Sequence, residues 1–318
     1  ILLPALGRAR EAARQTVCAA SMRSVVQALT QYETENKKYP ASYYYPSTTR
    51  GVDWRESDQL ENNPNPGHGY VHWSWFLFDE ESGASDEAFL CPTTTNGGAP
   101  RTNPGPNPED WEPNQEDDLG NTWQAPADIP EDRQVRRCAF TANAAVIPRN
   151  KFAQPSGRSN QFVKFTDIEQ PSRVIAFTEF LDSPDWKSLR EPTTPKIKSH
   201  RPVTPFIGLS SGSDVYSEPT LGSGAIARFA YPSVEAIYDE RDPALRGENL
   251  INDPNTTLNA VGRHHIGGKA NFTFLDGHVE SYTIRDTVEK RLWGDRFWSI
   301  SGNNRVRSKI EEEQFGGQ

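Results

Sequence analysis

The densest set of chemistry-bearing side chains lies in one stretch, Gly262-Arg263-His264-His265-Ile266-Gly267-Gly268-Lys269-Ala270-Asn271-Phe272-Thr273-Phe274-Leu275-Asp276-Gly277-His278-Val279-Glu280. Imidazole and carboxylate are ligands for zinc and other divalent ions. His264 or His265 with Asp276 and His278 is therefore a metal candidate, with His265, Asp276 and His278 as the leading ligand set. The spacing forms no closed set of ligands, and the stretch reads more simply as a structural hairpin. Glu179 and Asp182, at the end of a predicted strand, could join Asp276 or His278 as acid and base, or as Ca²⁺ ligands. A strand-end carboxylate bonded to its own loop is the plainer reading. These groups keep a metal-dependent hydrolase open as one alternative. The chain has no Gly-rich phosphate loop, nucleophile elbow, zincin helix or Cys-x-x-Cys. Trp54, Trp73, Trp75, Trp111 and Trp123 keep a secreted carbohydrate-binding module open as another, although core packing is the commoner use of tryptophan.

The elements that must position these groups can be read from periodicity. Asn271 to Leu275 and His278 to Tyr282 are strand-like runs, and Asp276-Gly277 between them suits a two-residue type I′ turn. Ser172 to Glu179 reads as a central strand entered through Gln170-Pro171. Cys138-Ala139-Phe140 starts another strand-like run, and Tyr70 to Phe78 reads as a buried strand or short helix. Polar, Pro- and Gly-punctuated insertions lie near residues 92–137 and 200–260. One helix followed by a run of strands predicts an α+β fold: a long N-terminal helix packed on an antiparallel sheet with long loop insertions. The division expected is a helix over 1–40 and a head domain over 41–318.

The helix is predicted from Cys18, Met22, Val25, Leu29 and Tyr32, which recur at alternating steps of four and three and make one buried face. Pro4 suits a helix start or a kink, and Tyr39-Pro40 stops it. From Pro4 to Asn36 it would run about 50 Å. Ile1 to Leu6 are too short to span a membrane alone but fit the tail of a longer apolar run. On pattern alone, a long core helix or a coiled-coil arm is the alternative.

The net charge of −9 and the pI near 5.3 argue against a nucleic-acid partner, which needs a basic face. Of the three cysteines, Cys91 and Cys138 flank the most polar insertion, so a disulfide between them is expected. It would contribute ~3–5 kcal/mol by restricting the unfolded chain, and it would fit an exported protein. Cys18, on the apolar stripe, is expected to be a packed thiol.

The opening helix, with its ending Tyr32-Glu33-Thr34-Glu35-Asn36-Lys37-Lys38-Tyr39-Pro40, resembles those of type IV prepilin-like proteins and type II secretion pseudopilins. Leu2 to Cys18 together with His265…Asp276-Gly277-His278 resembles more narrowly the prepilin-type proteins with an H-X9-DG domain, a DUF1559-like group. The spacing departs by one: ten residues, not nine, separate His265 from Asp276, and Lys269 reads as an insertion in the Gly267-Gly268 loop. The resemblance implies a non-enzymatic structural subunit, processed by a prepilin peptidase and methylated at its N-terminus. Such a subunit is held in the inner membrane by an upstream segment, then assembled with itself or with pilus or pseudopilus co-subunits. The place implied is a cell-surface or extracellular filament, or a periplasmic pseudopilus. Ile1, Leu2, Leu3, Leu6, Ala9, Ala13, Val17 and Ala20 would then form the assembly interface, where small residues let helices approach closely.

Overall fold

The spacing of apolar residues near the N-terminus produces one helix, α1, running Leu2–Asn36. Pro4 sits in its first turn, where a missing N–H breaks no intrahelical bond. Cys18, Met22, Val25, Val26 and Leu29 are buried, and Tyr32 packs against the same core. Residues 4–10 are exposed. At about 100° per residue, Leu6, Ala9, Ala13, Val17 and Ala20 form a second stripe, roughly 150° round the helix from the buried one; among them Leu6 is 68% and Val17 53% exposed. The helix stops at Lys37, whose φ of 58° is left-handed and whose N–H donates to the Glu33 carbonyl at 2.7 Å. Tyr39 N–H then turns to the Val163 carbonyl at 2.9 Å, so the chain has already left the helix when it reaches Pro40.

The computed structural model describes residues 2–45, 56, 69–78, 84–101, 103–113, 115, 117, 121–123, 131–149, 152, 160–181, 202–209, 227–237, 258 and 261–315, the side chains of residues 2, 3, 236 and 315 excepted. It shows the α+β fold expected. Four antiparallel strands lie in the order β10-β9-β6-β5: β5 (Phe140–Ala142), β6 (Ile175–Glu179), β9 (Ala270–Phe274) and β10 (Val279–Tyr282). The α1 helix lies on this sheet, chiefly against β9 and β10. Every residue of β6 and β9 is buried, so neither strand alternates apolar with polar positions. A 3₁₀ turn at Pro171–Arg173 leads into β6. Asn143 ends β5 by donating its amide to the Ile175 carbonyl at 2.8 Å and accepting the Ala145 N–H at 2.9 Å. The Tyr70–Phe78 stretch is both elements in turn, a two-residue strand Val71–His72 and a short helix Trp73–Leu77. Trp73 is buried there and stacks on Phe177 at 4.5 Å.

Three of the sequence expectations need correction or restriction. The β9–β10 turn is not type I′, because Asp276 does not take positive φ and only Gly277 does, at 92°. Gly277 N–H donates to the Phe274 carbonyl at 2.9 Å and Phe274 N–H to the His278 carbonyl at 3.0 Å. That is a tight turn followed by a left-handed glycine, the three-residue hairpin solution. The first insertion is pinned internally: buried Asp132 accepts the Asn103 N–H at 2.7 Å, the Asn103 amide at 2.8 Å and the Tyr70 N–H at 3.0 Å. Most of the second insertion lies outside the described residues.

Gly294 has φ of 95°, and a methyl there would run into the buried Trp298 ring. Gly294→Ala is expected to lower stability by about 3 kcal/mol through backbone strain and overpacking, read as a lower urea midpoint. An unchanged midpoint would show that Trp298 has room to yield.

Candidate functional site

Central strand β6 ends in Glu179, a carboxylate with no solvent exposure. Its Oε1 accepts from His265 Nε2 at 2.8 Å and its Oε2 from the Asn271 backbone N–H at 2.8 Å. His264 Nε2 lies 3.6 Å from Oε2, and the two imidazoles meet edge to face at 4.6 Å. The turn before β9 presents His265: its N–H donates to the Lys269 carbonyl at 3.1 Å, and its carbonyl accepts the Gly268 N–H at 3.1 Å. Gly267 and Gly268 both take positive φ in this turn, 78° and 67°, a conformation that L side chains resist. Burial by itself pushes the Glu179 pKa up. The hydrogen bonds and charges of His264 and His265 outweigh it and bring the group down to about 2. A buried charge of this kind persists only when paired and hydrogen-bonded.

The same cluster grips the helix. Asn271 Nδ2 donates to the Gln15 carbonyl of α1 at 3.2 Å and also reaches Glu179 Oε1 at 3.3 Å. Gln15 Nε2 donates to Ser281 Oγ at 2.8 Å, and Ser281 Oγ donates to Asn271 Oδ1 at 2.5 Å, closing a ring between α1, β9 and β10. One turn along α1, Cys18 is joined to Cys91 by a disulfide with a Cα–Cα distance of 4.9 Å. Cys91 Sγ sits 3.6 Å from Glu179 Oε1 and 3.8 Å from His264 Nε2. The cluster has Cys18, Cys91, Glu179, His265 and Asn271 at its buried centre, with Gln15, His264 and Ser281 half-buried around them. Its chemistry is that of a joint: an ion pair, a hydrogen-bonded ring and a covalent bond, all at the point where α1 enters the sheet.

The expected Cys91–Cys138 bridge is not formed. Cys91 follows the 3₁₀ turn Asp86–Phe89, which packs on α1 and brings the thiol to Cys18. Cys138 is held on strand β4 (Arg137–Cys138) against Ala99 and stays a free, buried thiol. It donates to the Phe140 carbonyl at 3.3 Å, and burial pushes its pKa up to about 12.

The metal set His265, Asp276 and His278 is not assembled either. His265 stands before β9, and Asp276 and His278 stand at the hairpin tip beyond it. The five residues of β9 between them span roughly 17 Å. His278 instead stacks on Phe274 at 4.1 Å and bonds Asp276 Oδ1 through Nδ1 at 2.5 Å. Glu179 meets neither of these; its partners include His264, His265 and Asn271, and Asp182 lies outside the described residues. Of the tryptophans, Trp73 is core, Trp111 is half-buried and donates to the Gly105 carbonyl at 2.8 Å, Trp75 and Trp123 are exposed, and Trp54 lies outside the described residues. Sequence reasoning missed Gln15, Asn271 and Ser281. The available signal was Asn271 itself, a polar residue inside an apolar strand run.

A long N-terminal helix laid by its C-terminal half on an antiparallel sheet, with long loops, is the plan of a pilin-like α+β protein. The chain belongs to the protein family of unknown function DUF1559, the H-X9-DG prepilin-type domain, which it matches over residues 7–291. No curated protein and no solved structure matched the chain.

The ordinary pKa of Glu179 is 4.5 and its folded value is about 2, so the folded state binds fewer protons between those values. Its contribution to stability is complete above about pH 4.5 and drains away as pH falls toward 2, on the order of 3 kcal/mol in all. Acid unfolding should show this decline in the native chain, and Glu179→Gln should flatten it while destabilising the neutral protein by about 3–5 kcal/mol. Equal acid slopes in both would remove the carboxylate from this role. Peptide mapping under non-reducing conditions should recover Cys18 joined to Cys91, with Cys138 alkylated only after denaturation; a Cys91–Cys138 peptide would contradict the fold at this joint.

Proposed function

We propose that the protein is a structural, non-enzymatic subunit of an exported pilus-like or pseudopilus filament, polymerising through the outward face of α1 against copies of itself or related subunits. The observation that carries this reading is the second apolar stripe. Leu6, Ala9, Ala13, Val17 and Ala20 are arranged as regularly as the buried residues, yet all are exposed and face away from the sheet. Burying apolar area drives association, and the alanines permit close backbone approach. Ile1 lies outside the described residues, as do the side chains of Leu2 and Leu3, which the same interface would include.

Membership of a prepilin-type family supports the assembly route, including processing and N-terminal methylation. The Cys18–Cys91 disulfide supports export, since such bonds persist in oxidising compartments. Among the described residues, no helix is long and apolar enough to cross a membrane. In this reading residues 1–40 are the polymerisation spine and residues 41–318 the head, with the insertions near 92–137 and 200–260 decorating it.

The test is Leu6→Glu and Val17→Glu in the full chain. Both side chains are exposed, so unfolding midpoints should stay within about 0.5 kcal/mol of the parent, while filaments seen by electron microscopy should be lost. Filaments that form undiminished with both substitutions would sink the proposal.

A further inference from the structure

The disulfide lies in unusual company. Cys18 comes from α1, Cys91 from the loop after the Asp86–Phe89 turn, Glu179 from the end of β6 and His265 from the turn before β9, and all four are buried. Both sulfurs, a Glu179 oxygen and a His265 ring nitrogen lie within 4.8 Å of one another. In a tetrahedral zinc site, bond lengths of about 2.3 Å to sulfur and 2.0–2.1 Å to nitrogen or oxygen place the ligand atoms about 3.3–3.8 Å apart. Small side-chain rotations therefore take this cluster to zinc geometry once the sulfurs are free to part.

The His265 nitrogen that faces the cluster is Nε2, 2.8 Å from Glu179 Oε1, a hydrogen-bonded contact that a shared metal ion would replace. His264 also turns its Nε2 inward, 3.6 Å from Glu179 Oε2. His264, 3.8 Å from Cys91 Sγ, is placed to support the ligands from the next shell.

We propose that the reduced chain binds one Zn²⁺ through Cys18, Cys91, His265 and Glu179, so that a metal ion closes the joint between α1 and the head whenever the disulfide does not. With a phosphine as reductant, the S–S bond takes two electrons from phosphorus. Water supplies the oxygen of the phosphine oxide and the protons of the two thiols. Those protons are released as the thiolates bind the ion. An exported chain passes from a reducing to an oxidising compartment; zinc would hold the joint in the first and the disulfide in the second. The site stands whether or not the chain polymerises.

The experiment is a titration of the full chain with Co²⁺, oxidised and after phosphine reduction, followed by displacement with Zn²⁺. The reduced chain should take up one equivalent with thiolate-to-cobalt charge transfer and tetrahedral d–d bands, and the oxidised chain none. Cys18→Ser and Cys91→Ser should lose the thiolate band, while Cys138→Ser and His278→Ala should keep it. Absence of the bands in the reduced chain would overturn the proposal, as would their survival in Cys18→Ser and Cys91→Ser or their loss in Cys138→Ser. Should reduction unfold the chain, Zn²⁺ must restore its far-UV circular dichroism; failure to do so overturns the proposal equally.

Discussion

The structure turns on one buried negative charge. Glu179 closes the central strand of the sheet, and a carboxylate removed from water must find cations and donors or the fold cannot keep it. Two histidines and a backbone N–H meet that demand. Meeting it fixes the turn before β9, hence the start of that strand, hence Asn271, whose amide reaches across to the carbonyl of Gln15. A local electrostatic requirement at the end of β6 therefore sets where the long helix lies. The family motif gains a physical meaning from this. Its histidine serves the joint beneath the helix, while its Asp-Gly serves the opposite end of β9, where Gly277 takes the left-handed conformation that closes the hairpin.

The helix itself has two different halves. From Cys18 to Tyr32 its apolar stripe is covered by the sheet together with the Asp86–Phe89 turn and the Trp73–Leu77 helix, and burial of such side chains contributes ~1.5–3 kcal/mol each. Before Cys18 the regular apolar positions point to the other side and have no cover from the described residues. Because the two stripes oppose each other, the helix is not amphipathic when taken whole, although each half is. A filament subunit has need of such an arrangement: one face to fold with and another to assemble with.

Much of this was legible in the sequence because it is periodic. Cys18, Met22, Val25 and Leu29 declare the buried face by spacing, and the Ser172–Glu179 run declares a central strand by its β-branched and aromatic content. The Asp-Gly pair declared a hairpin, but not its type, since a glycine alone can supply the positive φ once a third loop residue is allowed. The site was less legible because its parts are far apart in the chain. Gln15, Cys18, Cys91, Glu179, His265, Asn271 and Ser281 come from six separate segments, and only the packed fold brings them together. Cysteine pairing in particular follows from which elements pack, not from which segments a pair of cysteines flanks. The short turn Asp86–Phe89, lying on α1, redirected Cys91 to a partner that spacing had marked as core.

The position of the crosslink has a mechanical consequence. Cys18 is the first buried side chain among those described on α1, and its bond to Cys91 short-circuits 73 residues of chain. A tensile force drawn along the exposed end of the helix would meet this covalent tie before it reached Met22, Val25 or Leu29. The load would pass directly into the head, and the noncovalent contacts of the lower helix would be spared shear.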